Sequence, residues 1–279
     1  MIIALHNLAT AHCDLPTSIQ IARETGYAAI EIGGPKLASY LAEGFTVGDL
    51  LPLLADMPPI GLSYVQDVER QQPGEYQALL EECEAVCALS EKLGCPMVQL
   101  LSGPLDPTGP YQALVDRSWP EMRQLMAKNL RALAEIGRAH NVRFYLEGLT
   151  FTPLGRLDRQ IELLEETARD NVGLVVDFYH LWDSGAHADE IARLNKDFIF
   201  CVDFCDSSDD FGSGGDVEQR GRDVWTGGGQ IPLKQWVDAV RATGFDGIWR
   251  CELLSPTYWK LDPTSTARNL KTFLEYMFV

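Results

Sequence analysis

Apolar residues along the chain follow two alternating patterns. Short apolar runs predict strands at Ile2 to His6, Ala28 to Ile32, Ile60 to Val65, Met97 to Leu101, Arg143 to Glu147, Gly173 to Asp177, Ile199 to Phe204 and Gly247 to Leu253. Between them, apolar residues recur at intervals of three and four, as in Leu79, Leu80, Cys83, Val86, Cys87 and Leu93. These stretches predict helices near residues 16 to 26, 46 to 56, 75 to 94, 116 to 140, 157 to 170, 187 to 195, 231 to 244 and 264 to 278. Strand and helix in alternation imply a parallel sheet with crossover helices, and eight such units imply closure.

Glycines punctuate the pattern. Gly26, Gly94 and Gly244 each fall where a left-handed residue should turn a helix into the next strand. An open doubly wound sheet needs a Gly-rich fingerprint after its first strand, and LHNLATAHCD stands there instead. The expected architecture is therefore α/β, a (β/α)8 TIM barrel, with residues 1–279 as a single domain. Residues 206 to 229, with seven glycines and many acids, read as one long loop on the active face.

Strand alternation gives strands five to eight a shared feature. In RFYLEG, Phe144 and Leu146 oppose Arg143, Tyr145 and Glu147; in GLVVDF, Leu174, Val176 and Phe178 oppose Gly173, Val175 and Asp177. In IFCVDF, Phe200, Val202 and Phe204 oppose Ile199, Cys201 and Asp203; in GIWRCEL, Trp249, Cys251 and Leu253 oppose Ile248, Arg250 and Glu252. The bulky face suits the helical layer and the mixed face suits the barrel interior. Each strand then ends on an inward carboxylate: Glu147, Asp177, Asp203 and Glu252.

Four such groups would meet at the C-terminal mouth, where barrels of this type place their active sites. At an effective dielectric of ~20, each pair about 4 Å apart repels by about 4 kcal/mol, so a compensating cation is required. All-oxygen donors favour Mg²⁺ or Mn²⁺ over zinc. Neutralisation by Arg143 and Arg250 is the alternative, and a single strand-end acid often only caps a helix or orders a loop.

Charge and cysteine content narrow the setting. With 23 basic and 40 acidic residues the formal charge is -17, which repels phosphate backbones and anionic membranes and argues against nucleic acid or membrane partners. Seven cysteines scattered through helices and strands suggest a reducing compartment rather than a disulfide framework. The opening MIIALHNLATAHCD has no basic n-region and no apolar stretch approaches a membrane span, so a soluble cytoplasmic protein is expected, compatible with a homo-oligomer.

On YLEG, VVDFYH, WRCEL and RDVWTGGGQI, the chain resembles the xylose isomerase-like barrel superfamily, in its sugar isomerase and epimerase branch. The resemblance covers almost the whole chain, its specific motifs lying in the second half. It implies that Glu147 and Glu252 are metal ligands and opposing acid/base residues, that Asp177 is a ligand and His180 contacts substrate, and that Arg222 binds substrate oxygens. The family's His-x-x-Asp on strand seven is here Asp203-Phe204-Cys205-Asp206, so Asp203 stands at the histidine ligand position and Cys205 where a lysine is often found. Asp206 keeps the family's place, while Asp209 and Asp210 read as solvated loop.

The activity so implied is isomerisation or epimerisation of a small unphosphorylated keto-sugar or polyol derivative, through an enediolate beside a metal-polarised carbonyl. A lyase acting on a keto-inositol or 3-oxo-glycoside, and a sugar-binding protein with a degenerate metal site, are the alternatives. A repair nuclease of the same barrel needs many histidines and a basic surface, whereas this chain has five histidines. His6 and His12, flanking the exit of strand one, are candidate substrate contacts. His140 and His187 suit helix ends, Trp182, Trp225 and Trp259 suit the core, and the cysteines read as small core residues.

Overall fold

The computed structural model describes residues 1–103, 113–114, 116–208 and 220–279. Asp209 and Asp210 lie outside these. Eight parallel strands close into a barrel in sequential order. They are β1 (Ile2–Leu5), β2 (Ala29–Ile32), β3 (Pro59–Val65), β4 (Met97–Leu101), β5 (Arg143–Glu147), β6 (Val172–Asp177), β7 (Ile199–Phe204) and β8 (Ile248–Cys251). Every strand expected from the apolar runs is present, with ends shifted by at most two residues.

The helices are α1 (Leu15–Glu24), α2 (Gly34–Ala42), α3 (Val47–Leu54), α4 (Pro73–Leu93), α5 (Trp119–Ala139), α6 (Leu157–Thr167), α7 (Phe178–Asp183), α8 (Ala188–Ile191), α9 (Leu233–Ala242) and α10 (Pro263–Met277). Gly26, Gly94 and Gly244 have φ of 75°, 68° and 84°, the left-handed geometry the sequence calls for at helix ends. Two helices depart from the expected plan. The segment GPKLASYLA folds as α2 because Pro35 sits in its first turn and Leu37 and Tyr40 give it a buried edge. α7 starts directly after β6, where Asp177 accepts the amide proton of His180 at 2.7 Å and so caps the helix.

The outward residues Phe144, Leu146, Leu174, Val176, Val202, Phe204, Trp249 and Cys251 join the main core beneath the helices. Tyr145, Val175, Cys201 and Ile248 pack inside the barrel with Met97. Phe200 departs from strict alternation. The β6–β7 register slips between Leu174 and Val175, and this irregularity lets Phe200 join the interior cluster. Gly173 leaves the space, since a Cβ there would lie 2.4 Å from the Phe200 ring. Arg143 stacks on the same ring at 3.6 Å, far from the role of neutralising strand-end acids.

Candidate active site at the barrel mouth

Strand register decides which of the inward acids meet. Asp203 is the Cα partner of Arg250 across β7 and β8, and Phe204 is the partner of Cys251. Glu252 follows one residue later and sits one side-chain layer nearer the mouth than Arg250. Asp203 therefore shares its level with a guanidinium. Arg250 Nε donates to Asp203 Oδ1 at 2.5 Å and Nη2 to Oδ2 at 2.5 Å. Nη1 of the same side chain donates to Glu31 Oε1 at 2.5 Å and to the Tyr145 hydroxyl at 2.7 Å. Burial disfavours a charged Arg250, but Asp203 and Glu31 outweigh it and raise its pKa well above the usual value.

The other three carboxylates gather above this pair. Ligating atoms of Glu147, Asp177 and His180 lie within 4.8 Å of one another, as do those of Asp177, Cys205 and Glu252, so Asp177 is common to both groups. Asp203 belongs to neither. Glu147 accepts a hydrogen bond from Gln99 Nε2, and the His180 ring Nε2 lies 3.6 Å from its other oxygen. Glu252 forms an ion pair with Arg222, whose guanidinium lies over the Tyr179 ring at 5.0 Å.

Electrostatics describe a centre short of positive charge. Burial, then the neighbouring Asp177, Glu252 and Asp203, push the Glu147 carboxyl well above the usual carboxylate range. Burial also raises Asp177, although Arg222 opposes the shift. A divalent cation would relieve both. Buried, convergent carboxylates with an imidazole and a thiol at their edge form a donor set that fits such an ion.

Glu147, His180, Arg222 and Glu252 border a cavity of about 240 Å³ whose wall also includes His6, Glu31 and Gln99, while Asp177 and Cys205 are not part of that wall. His6 Nε2 lies 2.9 Å from Glu31 Oε2, while Nδ1 accepts the Leu8 amide proton at 3.2 Å. Burial works against charge on Glu31, yet Arg250 and His6 hold its carboxyl well below the usual range. His12 lies elsewhere. It is exposed and borders a separate cleft with Lys36, Tyr40 and Phe45.

Asp206 orders the glycine turn at 227–229 by accepting amide protons from Ser207, Gly227, Gly229 and Ile231 at 2.8, 2.9, 2.9 and 3.1 Å. His140 and His187 occupy helix ends as expected. Trp182 packs on Trp236, Trp225 packs on Tyr258, and Trp259 donates to the Leu8 and Leu253 carbonyls, so none of the three borders the cavity.

Glu31 and Gln99 are absent from the sequence-derived set. Their signal was present: each is a polar residue inside an apolar strand, in AIEI and MVQLL.

A closed (β/α)8 barrel with an acid-lined pocket at its C-terminal mouth defines a class of small-molecule enzymes. The chain belongs to the xylose isomerase-like TIM barrel family, whose profile matches residues 19–276. It is similar to inosose isomerase of Halalkalibacterium halodurans, 23% identical over 95% of this chain and 93% of that protein. It is also similar to 3-dehydroshikimate dehydratase of Bacillus anthracis, 26% identical over 60% of this chain and 58% of that one. Among solved structures, the IolI protein with a bound zinc atom superposes with a TM-score of 0.87 at 21% identity, covering 99% and 98% of the two chains.

Proposed function

We propose that this chain is a divalent-metal-dependent isomerase or epimerase of a small unphosphorylated keto-sugar or cyclic polyol ketone. The observation that carries this reading is the placement of Glu147 and Glu252 on one cavity with different partners, Gln99 and His180 for the first, Arg222 and His6 for the second. The cavity lies below the about 300–1,000 Å³ common for drug-sized ligands, which favours a substrate of a few carbons or one ring. The inosose isomerase relative supports a polyol ketone.

A divalent ion held at Glu147, Asp177 and Glu252 would supply a Lewis acid for the substrate carbonyl. The protein residues handle the proton. Glu147, whose affinity for a proton is raised by burial and its acidic neighbours, exchanges one with the carbon next to the carbonyl. Gln99 fixes the carboxylate that does so. Glu252 is the second acid/base, and Arg222 and His180 bind substrate oxygens. Return of the proton to the opposite face is epimerisation, and return to the neighbouring carbon is isomerisation.

The chain is incubated with Mg²⁺ or Zn²⁺ and a panel of ketoses and inososes in D₂O and followed by NMR. The expected result is deuterium at the carbon next to the carbonyl together with a rearranged product, slowed about 100-fold or more in Glu147→Gln. Loss of water without exchange into recovered substrate would move the assignment to a dehydratase, the reading that the second relative favours. Absence of exchange and of product across the panel would reject both. Seven free cysteines, six of them buried, support a reducing, cytoplasmic setting. Among the described residues no helix is long and apolar enough to cross a membrane.

A further inference from the structure

We infer that β7 supplies its metal donor through Cys205 rather than through Asp203, so that the centre favours a thiophilic ion such as Zn²⁺ or Co²⁺ over Mg²⁺. This rests on the reading that the mouth of the barrel binds a divalent ion. Three observations carry it.

The first is that both oxygens of Asp203 are already engaged by Arg250, an arginine with no exposed surface. Recruiting Asp203 to an ion would strip the guanidinium of its bidentate partner inside the barrel, where no water replaces it.

The second is register. Asp203 is level with Arg250 and Phe204 with Cys251, so the next inward residue of β7, Cys205, stands beside Glu252. The amide of Glu252 donates to the Phe204 carbonyl at 3.2 Å, which keeps the two chains in step past the ends of the strands.

The third is local geometry. Cys205 Sγ lies 3.8 Å from each Asp177 oxygen, and it forms one group with Asp177 and Glu252. Tetrahedral zinc bonds of about 2.3 Å to sulfur and about 2.1 Å to oxygen imply a sulfur-to-oxygen separation of about 3.6 Å, close to what is already present. The Tyr179 amide donates to Sγ at 3.3 Å, which fixes the sulfur beside Asp177. On binding, the ion takes the place of the thiol proton, which leaves to solvent, and one metal–sulfur bond forms without any change of oxidation state.

The test is a Co²⁺ titration of the chelator-treated full chain, with elemental analysis for stoichiometry and absorption for the ligand. One equivalent of cobalt with an intense near-ultraviolet thiolate-to-cobalt band is expected. Cys205→Ser should abolish the band and weaken Zn²⁺ by more than the about 10–100-fold that loss of an outer contact costs. The paired change of Asp203→Asn with Arg250→Met, which removes both charges together, should keep it. Stoichiometric cobalt without the band, or a band that survives in Cys205→Ser, overturns the inference and leaves the metal reading standing. If the wild-type chain binds no cobalt and no zinc, both fall. Should Cys205→Ser fail to fold, Cys205→Ala is read in its place, and absence of the band in the wild type overturns the inference by itself.

Discussion

Replacing Arg250 by Met removes the cation that three buried groups share. The guanidinium makes four hydrogen bonds of 2.5 to 2.7 Å, two to Asp203, one to Glu31 and one to Tyr145. Glu31 retains His6 and Asn7, so the main loss is one fully buried pair with Asp203. Removing one partner of such a pair costs about 3–5 kcal/mol, because the remaining charge has neither water nor a counterion. At about 2 °C per kcal/mol for a chain of this size, the melting temperature should fall by about 6–10 °C. Adding Asp203→Asn to Arg250→Met should recover part of that loss, and the double-mutant cycle should show coupling of about 1–3 kcal/mol. The sign with pH is fixed as well. A buried Asp203 without its arginine binds a proton more readily than in the unfolded chain, so the defect should shrink as pH falls. Urea denaturation of the two single variants and the double at two pH values measures the free energies, and thermal melts of the same proteins measure the temperature shift. A cost under about 1 kcal/mol for Arg250→Met, or strict additivity of the two changes, would refute the reasoning.

Two further outcomes are expected. Burial, and then the neighbouring Asp67, push the Glu69 carboxyl from 4.5 up to about 8. Because the folded value lies above the unfolded one, its stabilisation is complete below about pH 4.5 and is lost as pH rises through about 8, at about 1.4 kcal/mol per unit between. Melting temperature measured against pH should show this slope in the wild type and not in Glu69→Gln. For the glycine turn at 227–229, Asp206→Ala leaves four amide donors without their acceptor and should cost about 1–3 kcal/mol. Amide exchange at Gly227, Gly229 and Ile231 should quicken, and unchanged exchange would sink the loop-ordering role.

Much of the barrel was legible because its signals are local. Eight apolar runs became eight strands, and the glycines after α1, α4 and α9 took the left-handed geometry their positions demand. α2 is absent from the expected helices because it is only nine residues long and buries just Leu37 and Tyr40, too short a stretch for a clear helical period. α7 escaped because FYHLWD shows no polar stripe; all but the last two residues are buried, so periodicity has nothing to contrast. Phe200 escaped because a register slip cannot be seen in one strand alone. It depends on Gly173 in the neighbouring strand, which gives up the volume that Phe200 fills.

For the site, alternation reports direction and register reports height. The alternation predicts that Asp203, Arg250 and Glu252 all point inward, and the structure agrees, with Arg250 bridging Asp203 and Glu31 inside the barrel and Glu252 on the cavity wall. What alternation omits is that Asp203 and Arg250 are cross-strand partners, while Glu252 lies a layer above. An inward acid level with an inward arginine on the adjacent strand forms a pair before it can serve a metal, because the partner is covalently fixed at hand and the ion must bind from solution. Where the resemblance places a family histidine, Asp203 is therefore not a change of one ligand alone. It is half of an ion pair whose other half, Arg250, stands directly across from it on β8, and the consequence for the mouth of the barrel is that the next inward position, Cys205, is left facing Asp177 and Glu252.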